Sequence, residues 1–500
     1  MEMPRTQAEW SAFAATLQPR TQLLIGGEWQ EAASGRRFDC VNPASGQVFA
    51  QVAEGDAADV DRAVAAARAA FEDRRWAGKP PAQRKRILRR WAELIEANAA
   101  ELALLETLNV GKPINDATRI DVPATARCIT WYAEAIDKVY DEVAPTADNT
   151  LALIRREPVG VVAIVVPWNF PLIMAAWKLG PALAAGNSVV LKPAEQSPLS
   201  ALKLAELALE AGLPPGVLNV VTGFGPTAGQ ALGLHMDVDC LGFTGSTEVG
   251  KLFLQFAGRS NMKQVWLECG GKTPHVILAD CPDPDAAATA AAWGIFFNQG
   301  EMCTAGSRLI VDRSLKERVV AKIVEVGRTL MPGDPLDPAT RLGALVSEEQ
   351  WRRVLGYIDA GRDAGAQVVL GGQAARRDSG GFFVEPTVFD GVDNRMRIAQ
   401  EEIFGPVLSV IEVDGAEAAL QVANDTIYGL AAAVWTSDLN TAHRMAARLR
   451  AGLVWVNCFD ADDITTPFGG YKQSGIGRDK SLHAFDKYTE LKTVWMRLGD

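Results

Sequence analysis

The chain has 500 residues, 48% apolar and 22% charged, the composition of a globular protein of two or three lobes rather than of a disordered or fibrous one. Its net charge of −11 argues against a phosphate-rich nucleic-acid partner. The seven cysteines are widely spaced with no CxxC pair, and the four histidines are scattered, so no metal site is expected.

The longest strong apolar run, residues 159–166, is far short of the ~20 residues a bilayer span needs. The first residues, MEMPRTQAEWSAF, carry no basic segment followed by an apolar core. The expectation is a cytoplasmic protein with reduced thiols and no membrane partner.

In chain order, the first quarter reads as helical. Val60, Val64, Ala67 and Phe71 fall on one helical face, with Asp56 placed to cap it. Ile87, Trp91, Leu94 and Ile95 mark a second helix, predicted to run up to the Gly111-Lys112-Pro113 break. Thr150–Arg156 reads as extended. From there apolar runs alternate with helical stretches. Strands are predicted at 161–167, 188–192, 217–222, 240–243 and 264–268, and helices at 173–184, 198–211, 226–234 and 247–256. This alternation implies a parallel sheet covered on both faces, with ligands collecting beyond the C-terminal strand ends. A second α/β series runs from about His275 to Phe468, and the tail 488–496 reads as one more strand.

Several residues at predicted strand ends could carry chemistry. Gly223-Phe-Gly225-Pro-Thr-Ala-Gly229 and Phe243-Thr-Gly245-Ser246-Thr-Glu-Val249-Gly250 each follow a strand and open a helix. Such turns let backbone N–H groups meet a phosphate at the positive helix end; they also serve as ordinary βα turns. Lys192-Pro-Ala-Glu195 offers a carboxylate for ribose hydroxyls, or simply a surface charge pair. Cys303, among small residues in Gly300-Glu-Met-Cys303-Thr-Ala-Gly306, is a candidate nucleophile, although most free cysteines are buried and inert. Glu268, before Gly270 and Gly271, could be a general base, or pair with Lys272. Asn169, in Pro167-Trp168-Asn169-Phe170-Pro171, could donate to an oxyanion, or only shape a proline-flanked turn.

Together these pieces resemble the aldehyde dehydrogenase family. The resemblance covers essentially the whole chain and rests on ordered segments: PWNFP at 167–171, WKLGPALAAGN at 177–187, KPAEQSP at 192–198, GFGPTAG at 223–229 and FTGSTEVG at 243–250. It continues with LECGGK at 267–272, FNQGEMCTAGSR at 297–308, EEIFGPV at 401–407 and PFGGYKQSGIGRD at 467–479. The resemblance implies an α/β fold with a Rossmann-type cofactor domain (1–138 and 159–270), an α/β catalytic domain (271–470) and a small β oligomerisation arm (139–158 and 471–500), assembled as a homodimer or homotetramer. It makes Cys303 the nucleophile, Asn169 and the Cys303 N–H the oxyanion donors, and Glu268 the base that releases the acid, with Lys178 in proton relay. It assigns NAD, less favourably NADP, to Val166, Pro167, Trp168, Lys192, Glu195, Gly225, Gly229, Phe243, Gly245, Ser246, Val249 and Gly270. Glu402 and Phe404 fall on the nicotinamide-ribose side.

Within the family, ETLNVGKPI at 106–114 and KQSGIGRDKSLHAFDKYTELKTVW at 472–495 resemble bacterial aminoaldehyde dehydrogenases acting on γ-glutamyl-γ-aminobutyraldehyde or 4-guanidinobutyraldehyde. Asp460, Asp462 and Asp463 fall where the family places its tunnel mouth, and Asp121 is added to them. Carboxylates there would attract a cationic aldehyde, with Phe170, Trp177 and Phe468 as tunnel walls; they would equally suit a solvated loop. Asn109 departs from the ETLD of several aminoaldehyde enzymes. Hydroxyaldehydes and semialdehydes stay open as substrates. A CoA-acylating enzyme or a non-catalytic binding protein is disfavoured by the presence of Glu268 and Cys303.

Overall fold

The computed structural model describes residues 3–499. The helix Ala57–Glu72 begins at a capping box. The Asp56 carboxylate accepts from Ala58 N, and Asp59 accepts from the Asp56 N–H. Val60, Val64 and Ala67 are buried as their spacing predicts. The second predicted helix is two helices, Pro81–Ala97 and Ala99–Val110. The break is at Asn98 (φ −105°, ψ 21°), whose amide donates to Leu94 O at 2.8 Å. A side chain that bonds its own backbone can end a helix without interrupting the apolar stripe. The second helix stops at left-handed Gly111 (φ 86°).

Two large sheets form the scaffold. In the first, the strands Leu218–Val220, Ser188–Lys192, Val161–Val165, Cys240–Gly245 and Gln264–Cys269 lie side by side and parallel. Leu23–Ile25 and Glu28–Gln30 extend one edge and Gly475–Ile476 the other, each joined antiparallel. Val161 to Ile164 are fully buried, which explains an unbroken apolar run where a half-exposed strand would alternate. The chain starts this parallel series at Val161–Val165, builds outward to one side, then returns to add Cys240–Gly245 on the other. The crevice between those two strands is therefore the topological switch point, where ligands of open α/β sheets bind.

The second sheet orders Thr387–Asp390, Val407–Val413, Arg308–Asp312, Pro274–Ile277, Ala431–Trp435 and Leu453–Val456 in parallel, with Gln367–Leu370 antiparallel at one edge. A third sheet is small. Thr489–Arg497 pairs along its whole length with Thr150–Pro158, which also carries Glu142–Ala144. The segment from 471 does not join this arm at once, because Gly475–Ile476 first closes the edge of the first sheet. No helix among the described residues is long and apolar enough to cross a membrane.

Candidate active site

The turn Pro167–Pro171 leaves the buried strand Val161–Val165 and enters the helix Pro171–Ala185, with proline at the first helical position. Asn169 in this turn is buried, and its Nδ2 donates to Glu301 O at 2.9 Å. The second amide N–H is left for the cleft that Asn169 lines. Glu268 stands at the C-terminal end of Gln264–Cys269, beside Thr244 of the neighbouring strand.

Cys303 follows three successive left-handed residues, Asn298 (φ 48°), Gln299 (φ 58°) and Gly300 (φ 71°). Such a run is strained and survives only when its surroundings over-determine it. Here Gln299 Oε1 accepts from Gly343 N at 2.9 Å, and Glu301 Oε1 accepts from Val346 N at 3.0 Å. A Cβ on residue 300 would lie 2.2 Å from Gly405 O, and one on Gly271 would lie 2.4 Å from Cys303 O. Glycine at 271 and 300 is what lets the loop seat the thiol.

Asn169, Glu268 and Cys303 line one cleft of about 320 Å³ at the switch point, with Trp168, Gly245, Ser246, Glu402 and Phe404. Burial and the neighbouring Glu268 and Glu402 carboxyls push the Cys303 thiol well above its ordinary range. Burial pushes Glu268 up to about 8, against the pull of Lys178. Both Glu268 oxygens lack a hydrogen-bond partner, which leaves them free for a water or a proton. The pair is a thiol that holds its proton in the resting site and a carboxyl poised near neutrality to take one.

The neighbouring strand ends carry glycine turns and helix starts. Ser246 caps the helix Thr247–Gly258, its Oγ accepting from Val249 N at 3.2 Å. A side chain at Gly225 would meet nothing within 4 Å, and one at Gly229 would meet only the Lys192 side chain, at 3.7 Å. Lys192 is buried with its Nζ 3.3 Å from Glu195 Oε2, while Val166 N donates to Lys192 O. Phe243 packs beneath Gly245, where a Cβ would lie 2.5 Å from its ring. Glu402 lies across Gly270, accepts from Gly271 N at 2.9 Å, and is raised by burial to about 7. Trp168 and Phe404 meet edge to face at 5.2 Å. Open glycine turns at helix N-termini, with a carboxylate at the ribose end, fit a nicotinamide dinucleotide.

Where the resemblance places the tunnel mouth, the structure corrects the simple picture of free carboxylates. Asp121 is buried in an ion pair with Lys112, whose Nζ lies 4.1 Å from the Phe170 ring centroid. Asp462 is ion-paired with Lys480, which packs against Trp177 and Phe468. Asp463 accepts from the backbone and hydroxyl of Thr465. Three of the four aspartates are thus already partnered, Asp121 and Asp462 by lysines and Asp463 by Thr465 within its own loop. Asp460 has no such partner. The residue is exposed, yet partial burial of its carboxyl and the nearby Asp462 push it up to about 7, against the pull of Lys480. Trp177 and Phe468 pack at a tilt with ring centroids 5.0 Å apart, and Phe170 stacks on Phe297 at 6.4 Å. Asn109 is buried, accepting from Leu199 N at 3.2 Å, and takes no part in the cleft.

Some residues of the site carry no single-residue signal in the sequence. Lys178 donates to Thr244 Oγ1 at 2.6 Å and to Asp479 Oδ2 at 2.9 Å. Gln350 Nε2 donates to Phe404 O at 2.6 Å, and Arg353 donates to Glu402 O at 3.0 Å, which together pin the 402–404 segment. Only the GRD ending of the 467–479 segment marked Asp479, and nothing local marked Gln350 or Arg353.

The model of the aldehyde dehydrogenase family matches residues 29–494. The chain belongs to the aldehyde dehydrogenase family. Among the relatives of this aldehyde dehydrogenase, the NADP/NAD-dependent aldehyde dehydrogenase PuuC of Escherichia coli (strain K12) is 54% identical, over 98% of each chain. A γ-glutamyl-γ-aminobutyraldehyde dehydrogenase of Burkholderia cenocepacia is 58% identical with a TM-score of 0.97, covering 99% of this chain and 100% of that one. The indole-3-acetaldehyde dehydrogenase AldA of P. syringae, solved as a mutant with NAD+ and IAA, is 59% identical with a TM-score of 0.98 over the same shares.

Proposed function

We propose that this chain oxidises an amino- or guanidino-aldehyde of polyamine breakdown to its carboxylic acid, with NAD as oxidant and a thioester on Cys303. The single observation that carries the reading is the convergence of Cys303, Asn169 and Glu268 on one cleft at the switch point of the first sheet. The name of the B. cenocepacia relative supports the substrate class.

The bound NAD supplies the hydride acceptor. Gly225, Gly229, Gly245 and Ser246 would hold its pyrophosphate and adenine side, Lys192 and Glu195 the adenosine ribose, and Glu402 and Phe404 the other ribose. Glu195 disfavours a 2′-phosphate by charge, so NAD is the preferred form. Cys303 Sγ attacks the aldehyde carbon once its proton has passed to a base. The free Asn169 N–H and the Cys303 N–H stabilise the resulting oxyanion. After oxidation the acyl group sits on sulfur. Glu268 then takes a proton from water, which attacks the thioester, and the acid leaves as the thiol is restored.

At the outer end of the cleft, Asp460 supplies the charge that draws a cationic aldehyde, and Trp177 and Phe468 the walls. The aromatic pairs also favour a second reading, an aryl acetaldehyde, as in the name of the P. syringae enzyme. A kcat/KM panel with NAD separates the two, comparing γ-aminobutyraldehyde, 4-guanidinobutyraldehyde, γ-glutamyl-γ-aminobutyraldehyde, indole-3-acetaldehyde and hexanal. The nitrogenous aldehydes lead under the first reading; indole-3-acetaldehyde in front replaces it with the second. We assign the protein to the cytoplasm. We also assign to the exposed Leu491, Trp495 and Met496 on the edge strand Thr489–Arg497 the contact of a homodimer or homotetramer.

A further inference from the structure

Behind Glu268 lies a charge cluster that the reaction above does not use in full. Asp479 receives two ammonium groups, Lys178 on Oδ2 at 2.9 Å and Lys487 on Oδ1. All three side chains are at most 5% exposed. Two buried cations on one carboxylate leave an uncompensated positive charge, which is costly in a dry interior unless another charge balances it. Burial alone would raise the Asp479 carboxyl; the two lysines outweigh it and hold it down to about 2, so the anion is permanent.

The balancing group is at hand. Glu268 lines the same small enclosed space as Lys178, Asp479 and Lys487. It is cross-strand neighbour to Thr244, the other acceptor of Lys178. Its own oxygens are buried with no hydrogen-bond partner. With Glu268 ionised, the four groups sum to zero; with Lys487 neutralised, they would sum to a net negative charge.

We propose that Lys487 is a positioning residue for the base: seated on the far oxygen of Asp479, it leaves a positive charge in the cluster that the ionised form of Glu268 balances. The inference rests on Glu268 acting as the base of the proposed reaction. The other groups facing Glu268 are Cys303 and Glu402. Those facing Lys487 are the Tyr488 ring at 5.3 Å and Cys240, whose thiol donates to Lys487 O at 3.4 Å. Asp479 is also faced by Cys128 and Tyr132. Arg478 lines the same space but turns its guanidinium to Gly470 O, Gly477 O and the Tyr471 ring, and Lys480 is ion-paired with Asp462; Lys487 is the second cation seated on Asp479 itself.

The test uses full-length enzyme with Lys487→Met, Lys487→Arg and Asp479→Asn. The first readout is the acid limb of the kcat–pH profile for γ-aminobutyraldehyde oxidation. The second needs no turnover: the pH profile of Cys303 alkylation by iodoacetamide in cofactor-free enzyme, followed by peptide mass, whose inflection reports the linked ionisation of Cys303 and Glu268. Lys487→Met moves both features up by about one pH unit, the scale of a charge removed across several ångströms at a protein-like dielectric. Lys487→Arg restores them. Asp479→Asn, which leaves the ammoniums unbalanced, moves both down, and it decides the matter if Lys487→Met does not fold. Unmoved features in soluble variants that merely melt earlier reduce Lys487 to a packing role and overturn the proposal. Full turnover in a Glu268→Gln variant would remove the base assignment instead, and the alkylation profiles alone would then decide whether the charges are coupled.

Discussion

The loop that seats Cys303 and the segment 460–463, the proposed mouth of the cleft, are built on opposite principles. Residues 298–303 are clamped: successive left-handed residues are tied by Gln299 to Gly343 and by Glu301 to Val346, with glycines where backbones nearly touch. At the mouth, 460–463 is exposed, and its charges are settled by single long side chains such as Lys480. The first region spends strain to fix one atom. The second fixes little and tunes charge. Substitution in the loop should therefore abolish chemistry, and substitution at the mouth should grade selectivity.

Cys303→Ala breaks this division most severely. It should lower kcat for aldehyde oxidation by at least about 10⁴-fold, as removal of a covalent nucleophile does, while NAD binding measured by calorimetry stays within a few-fold. Residual turnover near the wild-type level would place the nucleophile elsewhere.

At the proposed mouth, Asp460→Asn should cut kcat/KM for γ-aminobutyraldehyde about 3- to 5-fold, the scale of one partly solvated ion pair, and leave hexanal unchanged. Asp463→Asn, already satisfied by Thr465, should move neither substrate more than about two-fold. Because Asp460 is pushed up to about 7, it gains its charge as pH rises through neutrality. Wild-type KM for the cationic aldehyde should then fall between about pH 6 and pH 8, and the Asp460→Asn variant should lose that slope. Equal effects of the two substitutions would return the mouth to the unspecific acidic patch.

This contrast also explains what the sequence made legible. Strand ends, the Asp56 cap and the 167–171, 243–250 and 300–306 segments could be read because their chemistry is local: an apolar run stops, a glycine follows, a helix starts. The Asn98 break escaped because the apolar stripe runs through it. Asp121 and Asp462 were over-read because their lysine partners are hidden in other motifs, whereas Asp463 is satisfied inside its own loop by Thr465. Lys112 precedes a proline turn, and Lys480 follows GRD in a segment read for other reasons. The second lysine on Asp479 escaped for the same reason, since a lysine in a polar tail carries no sign of burial. Pattern locates a charged residue, but only packing says whether its charge is spent.

Asp56→Ala lies far from both regions and should have the smallest effect. Loss of the cap should cost about 1 kcal/mol of stability, read as a lower denaturant midpoint, with kcat unchanged.

The most direct test of the central claim is rapid-quench mass spectrometry of Glu268→Gln enzyme mixed with NAD and γ-aminobutyraldehyde. If the buried carboxyl releases an acyl group from the thiol in front of it, the protein gains the mass of the aldehyde less the hydride and thiol proton it gives up, and the gain maps to the Cys303 peptide. Reduced cofactor formed with no such adduct, or with the adduct on another cysteine, would contradict the account.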